Sequence, residues 1–406
     1  MKKILYVIAL FLTTQMLSAQ NWQLNQLRNN LELSDVHFMN SQTGFVFGDS
    51  TVSGTFITGV VIKTYDGGQS WSTIALGNPN YRITKACLLN SNELFGAGRS
   101  GGGNTGLFIR SNDGGNSWIS PSTFNERLNN VCFINSNTGW VMGKNGLLSK
   151  TTDGGTSWVA QNITGEDMFC MKFFNSTIGI LGCGGGELYR TNDGGTTWSP
   201  ANSNVPDGLL SISISGQEAW IGGEAGTIIY SADYGQTWTV QNATIPVDFT
   251  AISFANNTSG WIAGVAGTVN ATTNGGGMWQ SQSCGTTADI SGLSVPDVNH
   301  GWLCTTDGEI FIFVNSTALN EYSGSDLHIA VYPNPAVDFI NITSDATGNF
   351  NYFISDANGK IVKWLDWNGT GAQTVNISGL SSGMYNVVIT NQNAMNERSS
   401  FGFVKK

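Results

Sequence analysis

The chain of 406 residues has no apolar run long enough to cross a bilayer, which takes about 20 residues. The best candidate, ILYVIALFL at 4–12, is too short, is preceded by Lys2 and Lys3, and is followed by small residues up to Ala19. That is the pattern of a secretory signal peptide over 1–19, with cleavage expected after Ala19 and a soluble, exported mature protein. Charge is also scarce, at 11% of residues. Without the two signal lysines, 16 basic residues face 28 acidic ones, a net of −12. Such a balance excludes nucleic acid and anionic membranes as main partners. No stretch holds a 3.6-residue apolar period, so long helices are not expected.

Metal and cofactor motifs are missing as well. Six cysteines are present, at 87, 132, 170, 183, 284 and 304, but none forms a CxxC pair, so no zinc site is expected. The three histidines, His37, His300 and His328, are scattered, and there is no HExxH, P-loop or GxSxG. Zinc-protease, nucleotide-dependent and α/β-hydrolase chemistry are thereby excluded, and no catalytic residue, metal or cofactor is assigned. Export permits disulfides. Cys170 with Cys183, facing each other across one hairpin, is the best candidate pair, and free buried thiols are the alternative.

What the chain does have is glycine, 52 residues of it, with many Asn, Ser and Thr, and a repeat. TYDGGQSW (64–71), SNDGGNSW (111–118), TTDGGTSW (151–158) and TNDGGTTW (191–198) are followed by looser copies, SADYGQTW (231–238) and TTNGGGMW (272–279). Their tryptophans are spaced by 47, 40, 40, 40 and 41 residues. A period near 40 with several short strands per unit predicts a β-propeller. Each unit opens with an apolar strand, as in VCFINSNTGW (131–140), MKFFNSTIGI (171–180) and ISFANNTSGW (252–261). Seven such strands occur, near residues 36, 86, 131, 171, 211, 252 and 293. The seventh unit stops before its box, while the mature N-terminus begins NWQLNQL, a last strand without a unit before it. Pairing the two closes seven blades and removes both sheet edges.

Labelling the strands of a unit A to D from the first, the box falls in the tight C–D turn. There D-G-G supplies positive φ and an acceptor for backbone N–H groups, and the Trp packs between sheets. Asp66, Asp113, Asp153, Asp193 and Asp233 are therefore read as structural. Tyr234 and Asn274 break the strict box, so looser turns are expected in blades five and six. The box resembles the Asp-box, or BNR, repeat. The fuller unit, F-x-N-x-x-x-G-W…G…T-x-D-G-G-x-x-W, resembles the photosystem II assembly and stability factor-like propellers over roughly 22–313. The box alone says little about activity, because sialidases, xyloglucanases and sortilin-type receptors share it.

After a polar linker (316–327) a second domain spans 328–406, with landmarks VYPNPAVDFINI, SDANGKIV, GLSSGMYNVVIT and a terminal FVKK. Alternating apolar residues between turn signals predict a small, Ig-like β-sandwich. These motifs resemble the type A C-terminal sorting domain of the type IX secretion system. The resemblance implies handling by that machinery, and either release or attachment at the outer-membrane surface. A carbohydrate-binding sandwich that stays on the chain is the other reading.

The expected architecture is thus all-β: signal peptide 1–19, seven-bladed propeller 20–315, linker, and sandwich. One column could carry function. Eight residues before Asn40, Asn90, Asn135, Asn175, Ser215, Asn256 and Asp297 stand Glu32, Arg82, Arg127, Asp167, Asp207, Asp248 and Asp289, all charged. They fall in the D–A connections and are expected to ring the channel mouth opposite the boxes, on the face of the long B–C loops 49–59 and 99–106. An ion-pair girdle, with Glu32 meeting Arg82 and Arg127 meeting Asp167, is the structural alternative. Three functions remain open: a non-catalytic module for a protein or glycan ligand, a secreted glycoside hydrolase with carboxylates on the propeller face, and, from the family resemblance alone, an envelope assembly factor.

Overall fold

The computed structural model describes residues 22–52, 55–101, 103–242, 245–314, 329–333, 335–344, 350–356, 361–365, 371–391 and 398–406. The signal peptide and the linker lie outside these residues. The chain divides into two compact units, one of them Ala19–Asn315.

That unit contains seven four-stranded antiparallel sheets. Their inner strands are Leu31–Phe38, Tyr81–Leu88, Leu128–Phe133, Met168–Phe173, Leu209–Ser215, Phe249–Phe254 and Ile290–Asp297. Each packs against the next, and the seventh packs against the first. The last sheet is completed by Trp22–Leu27, which pairs with Glu309–Val314 from Trp22↔Phe313 to Leu27↔Glu309. The first residues of the propeller therefore complete blade 7 and cover the edge of Glu309–Val314.

Packing between blades follows from the repeat. The phenylalanine ending an inner strand stacks on the aromatic of the second strand of the blade before: Phe133 on Phe95, Phe173 on Trp140, Phe254 on Trp220, and Phe38 on Trp302 across the closure. Box tryptophans meet the same rings edge-on, as Trp71 does Phe38 and Trp279 does Phe254. The glycine before the second-strand aromatic is a consequence. A Cβ on Gly139 would lie 2.5 Å from the Phe133 ring.

The cysteines sit in this packing as free thiols. The expected Cys170–Cys183 bridge is not made, because the register pairs Cys170 with Gly182 and Met168 with Cys183. Cys170 packs with Leu209 and Ile221 on one side of its sheet, and Cys183 with Trp140 and Leu148 on the other. A disulfide cannot pass through the sheet between them.

The C-terminal unit is a two-sheet sandwich. One sheet holds Ile329–Tyr332, Phe339–Ser344 and Gly371–Asn376; the other holds Ile361–Leu365, Phe350–Asp356, Gly383–Asn391 and Arg398–Lys405. Ile340, Ile342, Ile354, Val387 and Phe403 form its core. Among the described residues no helix is long and apolar enough to cross a membrane.

Candidate functional site

The two faces of the propeller differ in how their polar groups are used. On the box face each aspartate closes its own turn. Asp153 Oδ1 accepts from Thr151 Oγ1 at 2.8 Å and from Ser157 N at 2.9 Å, while Gly155 N donates to Thr151 Oγ1 at 2.9 Å. The same frame recurs at Asp66, Asp113, Asp193 and Asp233. The hydroxyl of Ser157 holds the Asp153 carboxyl at a pKa of about 2, and that of Ser117 does the same for Asp113. The looser turns expected in blades 5 and 6 are not seen. Tyr234 adopts φ +59° in a glycine's place, and Asn274 Oδ1 keeps both hydrogen bonds of the missing aspartate.

The box turn is also tied outward. The fourth residue of the box donates to the A–B turn of the same blade, as Gly154 N does to Asn137 O at 2.9 Å. The basic residue before each of the first four boxes reaches the next blade's turn. Lys63 Nζ donates to Asn116 Oδ1 at 2.6 Å, Arg110 Nη1 to Gly154 O at 3.0 Å, Lys150 Nζ to Gly194 O at 2.7 Å, and Arg190 Nε to Tyr234 O at 2.8 Å. Sequence reading missed this latch; its signal was the cation three positions before the Asp of each of the first four boxes.

On the opposite face the charged column resolves into three kinds of residue. Asp167, Asp248 and Asp289 accept, through Oδ1, the backbone N–H of Asn145, Ala225 and Ala266 at 2.9–3.0 Å. Those three are the left-handed residues (φ +52° to +53°) of the short B–C turn of the preceding blade. These aspartates are inter-blade caps.

Asp207 does not belong to the column. The A–B hairpin of blade 5 is one residue shorter, with Ser215 pairing Glu218, and it is Leu209 that pairs Gly223. Gly208 is therefore the structural equivalent. Its carbonyl accepts from Glu224 N, just as those of Arg127, Asp167, Asp248 and Asp289 accept from their own B–C turns. Asp207 Oδ2 instead accepts from Thr227 Oγ1 at 3.3 Å.

Glu32, Arg82 and Arg127 form the third group. Glu32 lies opposite Asp49 across blade 1, and Arg82 opposite Arg99 across blade 2. Arg82 Nη1 meets Asp49 Oδ2 at 3.3 Å. Burial pushes the Asp49 carboxyl up to a pKa of about 6, opposed by Arg82 and, less strongly, by Arg99 at a distance, and reinforced by Glu32. The girdle pair Arg127–Asp167 is not formed. Among the described residues the side chains of Arg99, Arg127 and Lys144 have no hydrogen-bond or ion-pair partner. All three stand at the B–C and D–A ends of blades 2 and 3, beside the long hairpin Leu94–Ser100/Gly106–Ser111.

The channel is a separate feature. A cavity of about 710 Å³ runs along the inner strands as far as the A–B turns at Asn135 and Asn175, and no residue of the charged column lines it. One residue per blade, opposite the second-strand aromatic position, lines it in a ring: His37, Cys87, Cys132, Lys172, Ser213, Ser253 and Ser294. At one side Asp35 binds His37 Nε2 at 2.8 Å, Lys85 Nζ at 3.3 Å and Ala86 N at 2.9 Å. Burial alone would raise Asp35, but His37 and Lys85 outweigh it and hold the pKa at about 2.

Comparison with known proteins agrees with this architecture. Residues 14–128 and 164–248 match the family described as photosynthesis system II assembly factor YCF48, and residues 330–400 match the secretion system C-terminal sorting domain. No curated protein matches. Among solved structures, YCF48 bound to D1 peptide is 19% identical with a TM-score of 0.58, covering 73% of this chain and 97% of its own. YCF48 from Cyanidioschyzon merolae is 17% identical with a TM-score of 0.58, covering 73% and 99%. The WD40 propeller domain of Doa1 is 12% identical at 0.57, covering 73% and 98%. At these identities the likeness is one of fold. The chain thus joins an Asp-box propeller resembling the YCF48 assembly factors to a type IX secretion-system C-terminal sorting domain.

Proposed function

We propose that the propeller, exported by way of its sorting domain, is a non-catalytic binding protein that holds an acidic segment of another protein on blades 2 and 3. The observation that carries this reading is the set of unpartnered cations, Arg99, Arg127 and Lys144, on the long-loop face of an acidic protein. Guanidinium groups without a carboxylate of their own are suited to bidentate recognition of one from outside. Loops that vary over a constant scaffold are also where binding is usually placed. A fold neighbour, YCF48, has been solved with a peptide bound.

Arg99→Glu with Arg127→Glu tests the reading. In pull-downs from the parent cell surface, followed by titration of the captured partner's acidic segment, affinity should fall at least tenfold while the melting temperature stays within about 2 °C. Arg82 is left intact because Asp49 depends on it. Unchanged binding in the double variant would refute the site.

The hydrolase reading rests on one observation: Glu32 and Asp49 are cross-strand neighbours, and Asp49 is raised to about 6, in the range of a general acid. Glycan hydrolysis lost in Asp49→Asn would favour it over binding alone.

A further inference from the structure

The channel holds a lysine that the fold does not use. Lys85 is spent on Asp35, on Ser291 O at 2.8 Å and on Ser34 O at 3.4 Å. Lys172 also lines the cavity, yet among the described residues no hydrogen-bond acceptor or carboxylate meets its ammonium. It is open to the lumen and at the same time encircled by protein, and this desolvation lowers its pKa. Asp35 supports this charge only at a distance, without an ion pair to Lys172, so an anion in contact with the ammonium would stabilise it.

The rest of the lumen offers donors more than acceptors. Ser213, Ser253 and Ser294 each accept, through Oγ, a backbone N–H of the next blade: Phe254, Val295 and Phe38, at 3.0, 3.1 and 2.8 Å. Ser211 does the same for Ile252 at 3.2 Å. A hydroxyl that accepts still has its own hydrogen to give, and among the described residues none of these four finds an acceptor. The one carboxylate lining the cavity, Asp35, is already satisfied by His37, Lys85 and Ala86.

We propose that the channel is a binding site for a small oxyanion, with a carboxylate, sulfate or phosphate group held by the Lys172 ammonium and the serine hydroxyls of blades 5 to 7 that line the same cavity. The cavity volume of about 710 Å³ is within the usual range for small-molecule sites. A bound oxyanion would supply the counter-charge Lys172 lacks and accept the unspent O–H groups. This site is independent of the cation patch on blades 2 and 3.

Isothermal titration of the mature full-length protein with inorganic phosphate, sulfate and succinate tests it. At least one should bind with Kd below about 1 mM, and Lys172→Met should weaken that binding at least tenfold while Lys172→Arg retains it. In parallel, the same anion should slow labelling of Lys172 by an amine reagent in the wild-type protein, read by peptide mass spectrometry. That second measurement stands even if Lys172→Met folds poorly. The arm that binds and protects most tightly identifies carboxylate, sulfate or phosphate as the ligand group. No binding below about 10 mM in any arm, equal binding by Lys172→Met, or labelling unaffected by a bound anion would overturn the proposal.

Discussion

Replacing Trp22 by alanine tests how much of the propeller's stability depends on its first strand. Trp22 is 4% exposed, its ring lies 5.3 Å from that of Phe313, and its Nε1 donates to Gln282 Oε1 at 3.1 Å. It belongs to a core that also contains Trp261, Leu303 and Phe311, so the substitution opens a cavity between blades 6 and 7. Trp-to-Ala changes of this kind cost about 3–5 kcal/mol. At roughly 2 °C per kcal/mol for a large domain, the melting temperature should fall by about 6–10 °C. Deleting residues 22–27 should do more, because it also bares the edge of Glu309–Val314 and opens the ring. Thermal and urea unfolding followed by circular dichroism measure both. Val159→Ala, at a site 70% exposed, is the control and should change stability by less than about 0.5 kcal/mol. A melting temperature in Trp22→Ala equal to that of the control would refute the closure argument.

Asp153→Ala and Asp193→Ala should each lower the melting temperature and leave partner affinity on blades 2 and 3 unchanged. Lost affinity at unchanged stability would move function to the box face. Because Asp113, Asp153 and Asp193 have folded pKa values of about 2, below the unfolded value of about 4, their stabilisation is present above pH 4 and lost as pH falls toward 2; chemical denaturation that is flat over this window would contradict it. Asp49 has the opposite sign: its pKa is raised to about 6, so its contribution is full below the unfolded value and lost as pH rises through 6. Asp49→Asn should therefore gain stability relative to wild type as pH rises from about 4 to about 6 and keep that gain above it, and a difference independent of pH over this window would count against a buried, raised carboxyl. Deleting 328–406 should leave a folded propeller that is retained in the cell envelope, and normal secretion of the truncated protein would refute the sorting role.

The fold was legible because the repeat carries its own packing rules. The box Asp, the glycine under the stacked Phe and the displaced strand at Trp22 each leave a mark at fixed spacing. What could not be read was register inside a shortened hairpin. Alignment through Ser215 counts Asp207 into the column, but the A–B hairpin of blade 5 is one residue shorter and Gly208 stands at that position. Alignment through the following Trp220 cannot detect this, because the lost residue lies between strand A and that Trp. The same limit hid the channel ring, in which Ser213, not Ile212, is the equivalent of Cys132 and Lys172. The disulfide expectation failed for a different reason: closeness along a hairpin says nothing about which face of the sheet each side chain takes.

The sign of the charged column follows the turn it faces, and this links fold to function. Aspartate stands at three of the positions where the preceding blade has a short B–C turn with a left-handed residue, facing Asn145, Ala225 and Ala266; facing Gly185 of blade 4 the position is Gly208, which has no side chain to cap with. Blades 1 and 2 have long B–C hairpins instead, Gly44–Val52 with Thr55–Thr64 and Leu94–Ser100 with Gly106–Ser111, whose strands continue pairing past the level of that turn. The residues facing them are Arg82 and Arg127. Where the insertion removes the need for a cap, the position is released from its structural duty and carries the opposite charge. Every basic residue before a box is consumed in a latch to the next blade, whereas among the described residues the side chains of Arg99, Arg127 and Lys144 make no hydrogen bond or ion pair, and Arg99 acts on Asp49 only at a distance. The contrast between latched cations on the box face and unlatched ones beside the longest loops is what the Arg99→Glu with Arg127→Glu variant tests.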